Sequence, residues 1–211
     1  MTYKPAREIR PKRKGYRGKE PFLKTGDMIH WDSFLERNFI RLADFDQEIQ
    51  EIYHQPVCIY YTVNGKKHRY YPDFKMISQN NRVTIVEVKT ERFFNKQKNI
   101  LKYEVGRRYC EEMGWDYKVF TEREIDPKYL QWNLSLLRHL GTRDVSEQIM
   151  NQIAAKVEEM YELHLFELRE ACEDIEEESF YAAVYQLIYL QDIQTDLVNY
   201  KISDDSFLRI N

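Results

Sequence analysis

The chain has 211 residues, with 32 Lys and Arg against 35 Asp and Glu, a formal net charge of −3, and 43% apolar residues rich in Tyr and Phe. That length supports one large or two small domains with real cores. No apolar run approaches the roughly 18–20 residues of a membrane span, and the basic N-terminus shows no signal-peptide pattern; Cys58, Cys110 and Cys172, far apart and in no CxxC pair, argue for a reducing compartment and against a zinc site or a disulfide framework.

The charge is divided unevenly. Residues 1–120 carry 24 Lys and Arg against 16 Asp and Glu, a net of +8, and residues 121–211 carry 8 against 19, a net of −11. A basic half followed by an acidic half suggests that one meets nucleic acid and the other meets protein. A salt-bridged interface between the halves is the plainer alternative.

Residues 1–26 hold a basic run without apolar periodicity and are expected to form an extended arm. Arg10, Lys12, Arg13, Lys14, Arg17 and Lys19 are candidates to neutralise phosphates. Residues 32–43 (DSFLERNFIRLA) carry an apolar face and predict a helix. Ser33-x-x-Glu36 fits a capping box, which gives Glu36 a structural role beside a catalytic one.

Strands follow at 57–63 and 66–71, joined by Asn64-Gly65, a strong two-residue hairpin turn. A third strand begins at Phe74, and the β-branched run 82–88 (RVTIVEV) is a fourth, so the region is expected to be a meander. A helix is expected over 93–113, with Ile100, Leu101, Val105, Tyr109 and Met113 as its apolar face and Gly114 as its stop. The strand 115–120 would then run parallel to 82–88 through a helical crossover. His68 on the meander is a candidate for DNA contact, and Gln97 and Lys102 on the helix are accessory candidates for the same role.

Around Pro127 the composition changes. Four helices are expected, at about 128–140, 144–163, 165–175 and 179–191, then two short strands within 193–210. Helices followed by a two-stranded ribbon suggest a winged helix. Residues 158–178 hold ten acidic residues and one Arg, a poor surface for phosphates.

The chemistry concentrates at Pro72-Asp73 and at Glu87-Val88-Lys89. A carboxylate and an ammonium closing a strand that is apolar on both faces need a reason, because an unpaired buried charge costs several kcal/mol or more. Carboxylates converging at strand ends can hold a hard divalent cation. A neighbouring lysine can orient water or offset charge on phosphate. The set suits metal-assisted phosphodiester hydrolysis. No P-loop, Rossmann glycine pattern, HExxH or GxSxG is present.

The ordered set Trp31-Asp32-Ser33-Phe34-Leu35-Glu36, Phe45-Asp46, Gln55-Pro56, Tyr71-Pro72-Asp73-Phe74 and Val86-Glu87-Val88-Lys89 resembles the TnsA family, the endonuclease subunits of heteromeric cut-and-paste transposases. The resemblance covers roughly residues 10–125, and the C-terminal part matches by architecture only. It implies an α/β, restriction-endonuclease-like domain with a PD-(D/E)xK centre and a central mixed sheet over 27–122, after the arm 1–26. A small helical, winged-helix-like, partner-binding domain would occupy 123–211.

The resemblance further implies cleavage of the non-transferred strand at the 5′ ends of the element, with Mg²⁺ as cofactor and Mn²⁺ able to substitute. Glu36, Asp73, Glu87 and Lys89 would be catalytic, and Asp73, Glu87, the carbonyl of Val88 and Glu36 would hold metal. In some members Gln stands at the position of Glu87. The implied partners are double-stranded DNA, a DDE transposase (TnsB) and an AAA+ regulator (TnsC), in a cytoplasmic, nucleoid-associated bacterial setting. A stand-alone restriction or repair nuclease, and a non-catalytic DNA-binding assembly module, are the competing readings.

Overall fold

A computed structural model describes residues 3–7, 15–141 and 143–210. The chain divides into two compact units, Met1–Asp126 and Pro127–Asn211. Among the described residues no helix is long and apolar enough to cross a membrane.

The first unit opens with an antiparallel hairpin of β1 (Gly18–Phe22) and β2 (Asp27–Trp31). Residues 18–26 are therefore strand and turn, where the sequence suggested an arm. Phe22, Ile29 and Trp31 are buried, and they root the hairpin in the core. Arg10, Lys12, Arg13 and Lys14 lie outside the described residues. Helix α1 (Phe34–Phe45) follows, and Ser33 caps it by accepting a hydrogen bond from the Glu36 backbone N–H.

The main sheet has four strands in the order β3 (Ile49–His54), β6 (Phe74–Ser78), β7 (Val83–Val88) and β8 (Asp116–Phe120). The first three pair antiparallel and β8 joins β7 in parallel, giving a mixed sheet with β7 inside it. The expected continuous meander is not formed. Strands β4 (Ile59–Val63) and β5 (Lys66–Tyr70) pair only with each other, as a separate two-stranded ribbon. Residues 49–54 (IQEIYH) take the place beside β6 instead. Asn64 and Gly65 have φ of 48° and 75°, the left-handed geometry of the tight turn expected there.

The expected helix 93–113 is interrupted. A short α2 (Glu91–Phe94) ends at Asn95, and α3 (Gln97–Met113) starts afresh. Asn99 explains the break locally, because its side-chain amide donates to the Phe93 carbonyl (2.7 Å), which helix continuation would otherwise occupy. Gly114 stops α3 at φ 69°, donating to the carbonyls of Cys110 and Glu111. The buried stripe of α3 is Asn99, Tyr103, Gly106 and Cys110. The apolar face expected from the sequence is only half-buried, and Met113 is exposed.

Alternation along β7 assigns the two faces of the sheet. Val86 and Val88 join Phe39, Ile40, Phe74 and Ile125 in one apolar cluster under α1. Phe39 stacks on Phe74 at 5.4 Å and meets Phe120 at 5.0 Å. Burying each such side chain contributes about 1.5–3 kcal/mol. Ile85 and Glu87 point to the opposite face, where Gly106 of α3 packs so tightly on the Tyr117 ring that a methyl group would overlap it.

The second unit runs α5 (Leu130–Leu140), α6 (Glu147–Met160), β9 (Glu162–His164), α7 (Leu165–Ala171), α8 (Glu177–Tyr189), β10 (Ile193–Gln194) and β11 (Phe207–Ile210), after the short α4 (Glu122–Ile125) that closes the first. Its three-stranded sheet has the order β10-β11-β9. Residues 162–163, expected at a helix end, are strand, because Tyr161 at φ 66° ends α6. Helix α8 buries Phe180, Ala182, Ala183, Val184, Leu187 and Ile188. Asn133, fully buried on α5, holds the β10–β11 connection. Its amide donates to the carbonyls of Leu197 (2.8 Å) and Tyr200 (2.7 Å), and its oxygen accepts from the Ile202 N–H (3.0 Å).

Candidate active site

Asp73 stands just before β6, where the β6–β7 ladder has ended at the pair Phe74 and Val86. Its Oδ2 takes the place of a ladder carbonyl by accepting the Val88 N–H at 2.8 Å. Its own carbonyl accepts the Gln55 N–H at 2.7 Å. The carboxylate is thus fixed from two strands at the end of β7, and its Oδ1 makes no hydrogen bond among the described residues.

Glu87 is 2% exposed, a burial that a carboxylate tolerates only with partners. It has two. Oε2 accepts the Tyr70 hydroxyl at 2.8 Å, and Oε1 meets the Lys89 ammonium at 2.9 Å. Tyr70 is itself steadied by the Tyr117 hydroxyl at 2.8 Å, and Lys102 lies 5.5 Å over its ring. The backbone N–H of Lys89 donates to the Phe120 carbonyl at 2.9 Å, which holds the strand end in register with β8.

The electrostatics are those of crowded acid groups. Burial, then the charges of Glu87 and Glu36, push the Asp73 carboxyl well above the usual carboxylate range, against the pull of Lys89 and the Val88 N–H. Burial works against the Lys89 ammonium, yet Glu87 and Asp73 outweigh it and raise its pKa above that of an ordinary lysine. Lys89 is therefore a cation at neutral pH. Burial and the neighbouring Glu87 charge likewise keep the Tyr70 hydroxyl protonated, as a donor.

Glu36 makes the contacts of its capping role. Its Oε2 accepts the Asp32 N–H at 2.7 Å and its Oε1 accepts the Ser33 hydroxyl at 3.0 Å, so both oxygens are engaged in the helix cap. Burial raises its pKa, those two hydrogen bonds oppose the rise, and Asp32 adds to it. Its charge reaches Asp73, but its oxygens are not offered to the site.

The remaining candidates are dispersed. Arg17 is ion-paired with Asp32 at 2.9 Å. Lys19 is exposed on β1, Gln97 is exposed at the start of α3, and His68 is exposed on β5, stacked on Tyr61 at 5.4 Å. Three tyrosines belong to the site that sequence reasoning did not single out: Tyr70, Tyr117 and Tyr103. The Tyr103 hydroxyl is buried without a hydrogen-bond partner among the described residues, within electrostatic reach of Lys89, Glu87 and Asp73. The available signal was the placement of Tyr70 three residues before Asp73 and of Tyr103 one α3 turn after Asn99.

Oxygen donors of this kind suit a hard divalent cation. The charges of Asp73, Glu87 and Glu36 face one ammonium, and a cation would offset the excess. Among the described residues no group of three or more His, Cys, Asp or Glu side chains is arranged to hold a metal. Asp73 and Glu87 are the two carboxylates closest to Lys89, and both oxygens of Glu36 are engaged in the helix cap.

The first unit is thus an α/β domain whose mixed sheet bears an aspartate at one strand start, and a glutamate and lysine two residues apart at the end of its neighbour. Residues 46–122 match the family model described as TnsA-like endonuclease N terminal, so that segment is similar to the N-terminal domain of TnsA-like endonucleases. The matched segment contains Asp73, Glu87, Lys89 and all three site tyrosines, and it excludes Glu36. No curated protein matches the chain.

Proposed function

We propose that the chain is the DNA endonuclease subunit of a heteromeric transposase, hydrolysing the non-transferred strand at the 5′ ends of the element. The observation that carries this reading is the junction of Asp73, Glu87 and Lys89 at one strand end, inside a TnsA-like endonuclease domain. Asp73, Glu87 and the Val88 carbonyl would hold Mg²⁺, or Mn²⁺ in its place. Bound there, the metal supplies Lewis-acid stabilisation and a water of lowered pKa.

The chain's own residues do the rest. Lys89, held protonated by the two carboxylates, orients the attacking water and offsets charge that grows on the phosphoryl oxygens. Its raised pKa argues for this electrostatic role over that of a general base. Tyr70 fixes the rotamer of Glu87 by donating to it. Glu36 caps α1 and adds negative field at Asp73, and it acts as a metal ligand only if it leaves its cap.

The second unit supports the assignment to a larger complex. Its order α6-β9-α7-α8-β10-β11 and sheet order β10-β11-β9 support a winged-helix reading. Helix α8, the element that would enter a DNA groove in such a fold, is largely buried, and Glu176, Glu177 and Glu178 stand exposed at its start. That surface favours a protein partner over phosphates: an AAA+ regulator of the TnsC kind, with a DDE transposase of the TnsB kind joining the 3′ ends.

Nicking of supercoiled DNA bearing candidate element ends tests this, with Mg²⁺ present or chelated and with or without the transposase subunit. Metal-dependent nicking at the ends that requires the partner is expected. Cleavage of any naked DNA at full rate without partners would instead identify a stand-alone nuclease, and no cleavage under any condition would leave an assembly module.

A further inference from the structure

Apart from Tyr70 at its foot, the β4–β5 ribbon contributes nothing to the site described above, and it has no partner in the main sheet. Its foot is buried: Ile59 is 5% exposed and Tyr70 is 1%. Beyond the foot it carries polar side chains into solvent. The register pairs Tyr60 with Arg69 and Thr62 with Lys67, and pairs directly opposite share a face. That outer face is thus Tyr60, Thr62, Lys67 and Arg69, all four exposed, with the Tyr60 ring 72% accessible. The inner face carries Tyr61 and His68 stacked on each other.

The ribbon's own charge is of one sign, while Glu104, Arg108 and Glu112 of α3 line the cavity beside Tyr60 and Thr62. Between Glu51 and Asp73 the chain has no acidic residue, while it has Lys66, Lys67 and Arg69. Lys66 and Lys67 make no ion pair among the described residues. Lysines on an exposed strand also deter edge-to-edge aggregation, but mixed charges serve that end equally well and would not cost the ribbon its own repulsion. A two-stranded antiparallel ribbon has the width to enter the major groove of B-form DNA, and exposed Lys, Arg, Thr and Tyr are the side chains that contact phosphate and sugar.

We propose that the β4–β5 ribbon is a DNA-binding arm, laying Tyr60, Thr62, Lys67 and Arg69 along the backbone at a groove of the duplex that the site cuts. This rests on the nuclease reading and adds the surface that would hold the substrate. The position is apt, because the residue at the ribbon's foot, Tyr70, is the one that grips Glu87. Contact along the ribbon therefore bears on the duplex next to the metal-ligand candidates rather than at a remote surface.

The test is duplex binding by the full chain, read as fluorescence anisotropy of a labelled linear duplex across a salt series without divalent metal. The double variant Lys67→Ala/Arg69→Ala should bind more weakly, and its plot of log affinity against log salt should be shallower by about 1.8, from two phosphate contacts at about 0.9 each. Tyr60→Ala should weaken binding and leave the slope unchanged. The charge-matched control Lys156→Ala/Arg209→Ala, in the other unit, should behave as wild type.

An unchanged slope in the ribbon variant, or an equal change in the control, overturns the proposal. The two readings fail separately. If the ribbon variant binds as wild type while Asp73→Ala stops nicking, the arm is wrong and the nuclease stands. If Asp73→Ala nicks as fast as wild type, the nuclease reading is wrong whatever the ribbon does.

Discussion

The two units bury polar groups in different ways. Among the described residues the first encloses Glu20, Asn38, Asp44, His54, Gln55, Glu87, Asn99 and Thr121, and the second Gln131 and Asn133. In the first unit buried charge is left in excess: Asp73 and Glu87 share one ammonium, and the Tyr103 hydroxyl has no hydrogen-bond partner among the described residues. In the described residues of the second, Gln186 Oε1 is the unpartnered buried atom and no charge is stranded, while Asn133 makes three hydrogen bonds to one loop. Incomplete satisfaction costs stability, and it persists where a ligand or substrate completes it. Complete satisfaction marks a structural lock.

Removing the charges should separate the two cases most sharply. Asp73→Ala should bring nicking below detection without loss of thermal stability, because it relieves the crowding of acids. Lys89→Ala should lower the rate by about 10²–10³ with some loss of thermal stability, because it leaves the buried Glu87 one partner fewer. If Asp73→Ala unfolds at a much lower temperature, the excess charge is structural and the contrast collapses.

Asn133→Leu should do the reverse. It strands two carbonyls and one N–H at about 1 kcal/mol or more each, so denaturant unfolding of the second unit should lose about 3 kcal/mol, with Mn²⁺ binding by the first unit unchanged. Tyr70→Phe should come next. Losing an outer contact to a metal-ligand candidate costs about 10–100-fold in metal affinity or activity, and Mn²⁺ titration calorimetry would report it while circular dichroism stays constant.

Glu36→Gln should have little effect on either reading, since Gln also completes a capping box. A loss of nicking on the scale of Asp73→Ala would return Glu36 to the metal. The smallest effect concerns His54. Burial, with His30 and Lys19 nearby, lowers its pKa to about 4. Between about 6.5 and that value the unfolded chain binds a proton that the folded chain refuses. Stability should therefore fall as pH drops through this window, and His54→Gln should flatten part of the fall.

The site's centre was legible because β7 is β-branched throughout and then ends in Glu87 and Lys89, a contrast no ordinary strand needs. Its supports were not. The stripe of α3 that faces the site is Asn99, Tyr103, Gly106 and Cys110, which apolar periodicity passes over. Strand β3 was missed because Gln50 and Glu51 break its pattern, and β1 because its lysine and proline resembled the basic arm beside it. The Asn64-Gly65 turn identified the hairpin correctly, but membership of a sheet depends on partners remote in sequence, and turn chemistry carries no information about those. Glu36 was ambiguous in the sequence, and the structure places it in the cap.

The parallel pairing of β7 with β8 has a consequence for the order of folding. Asp73, Glu87 and Lys89 lie within one antiparallel connection, whose short loop closes at small entropic cost. Tyr117 and the Phe120 carbonyl arrive only after the whole of α3 has crossed over, the kind of distant contact that forms slowly. The acids can therefore meet before their supports are in place, while Tyr70 and Lys89 become fixed only once the crossover has closed. A nascent chain would therefore complete the geometry of this strand end in the last step of maturing its domain.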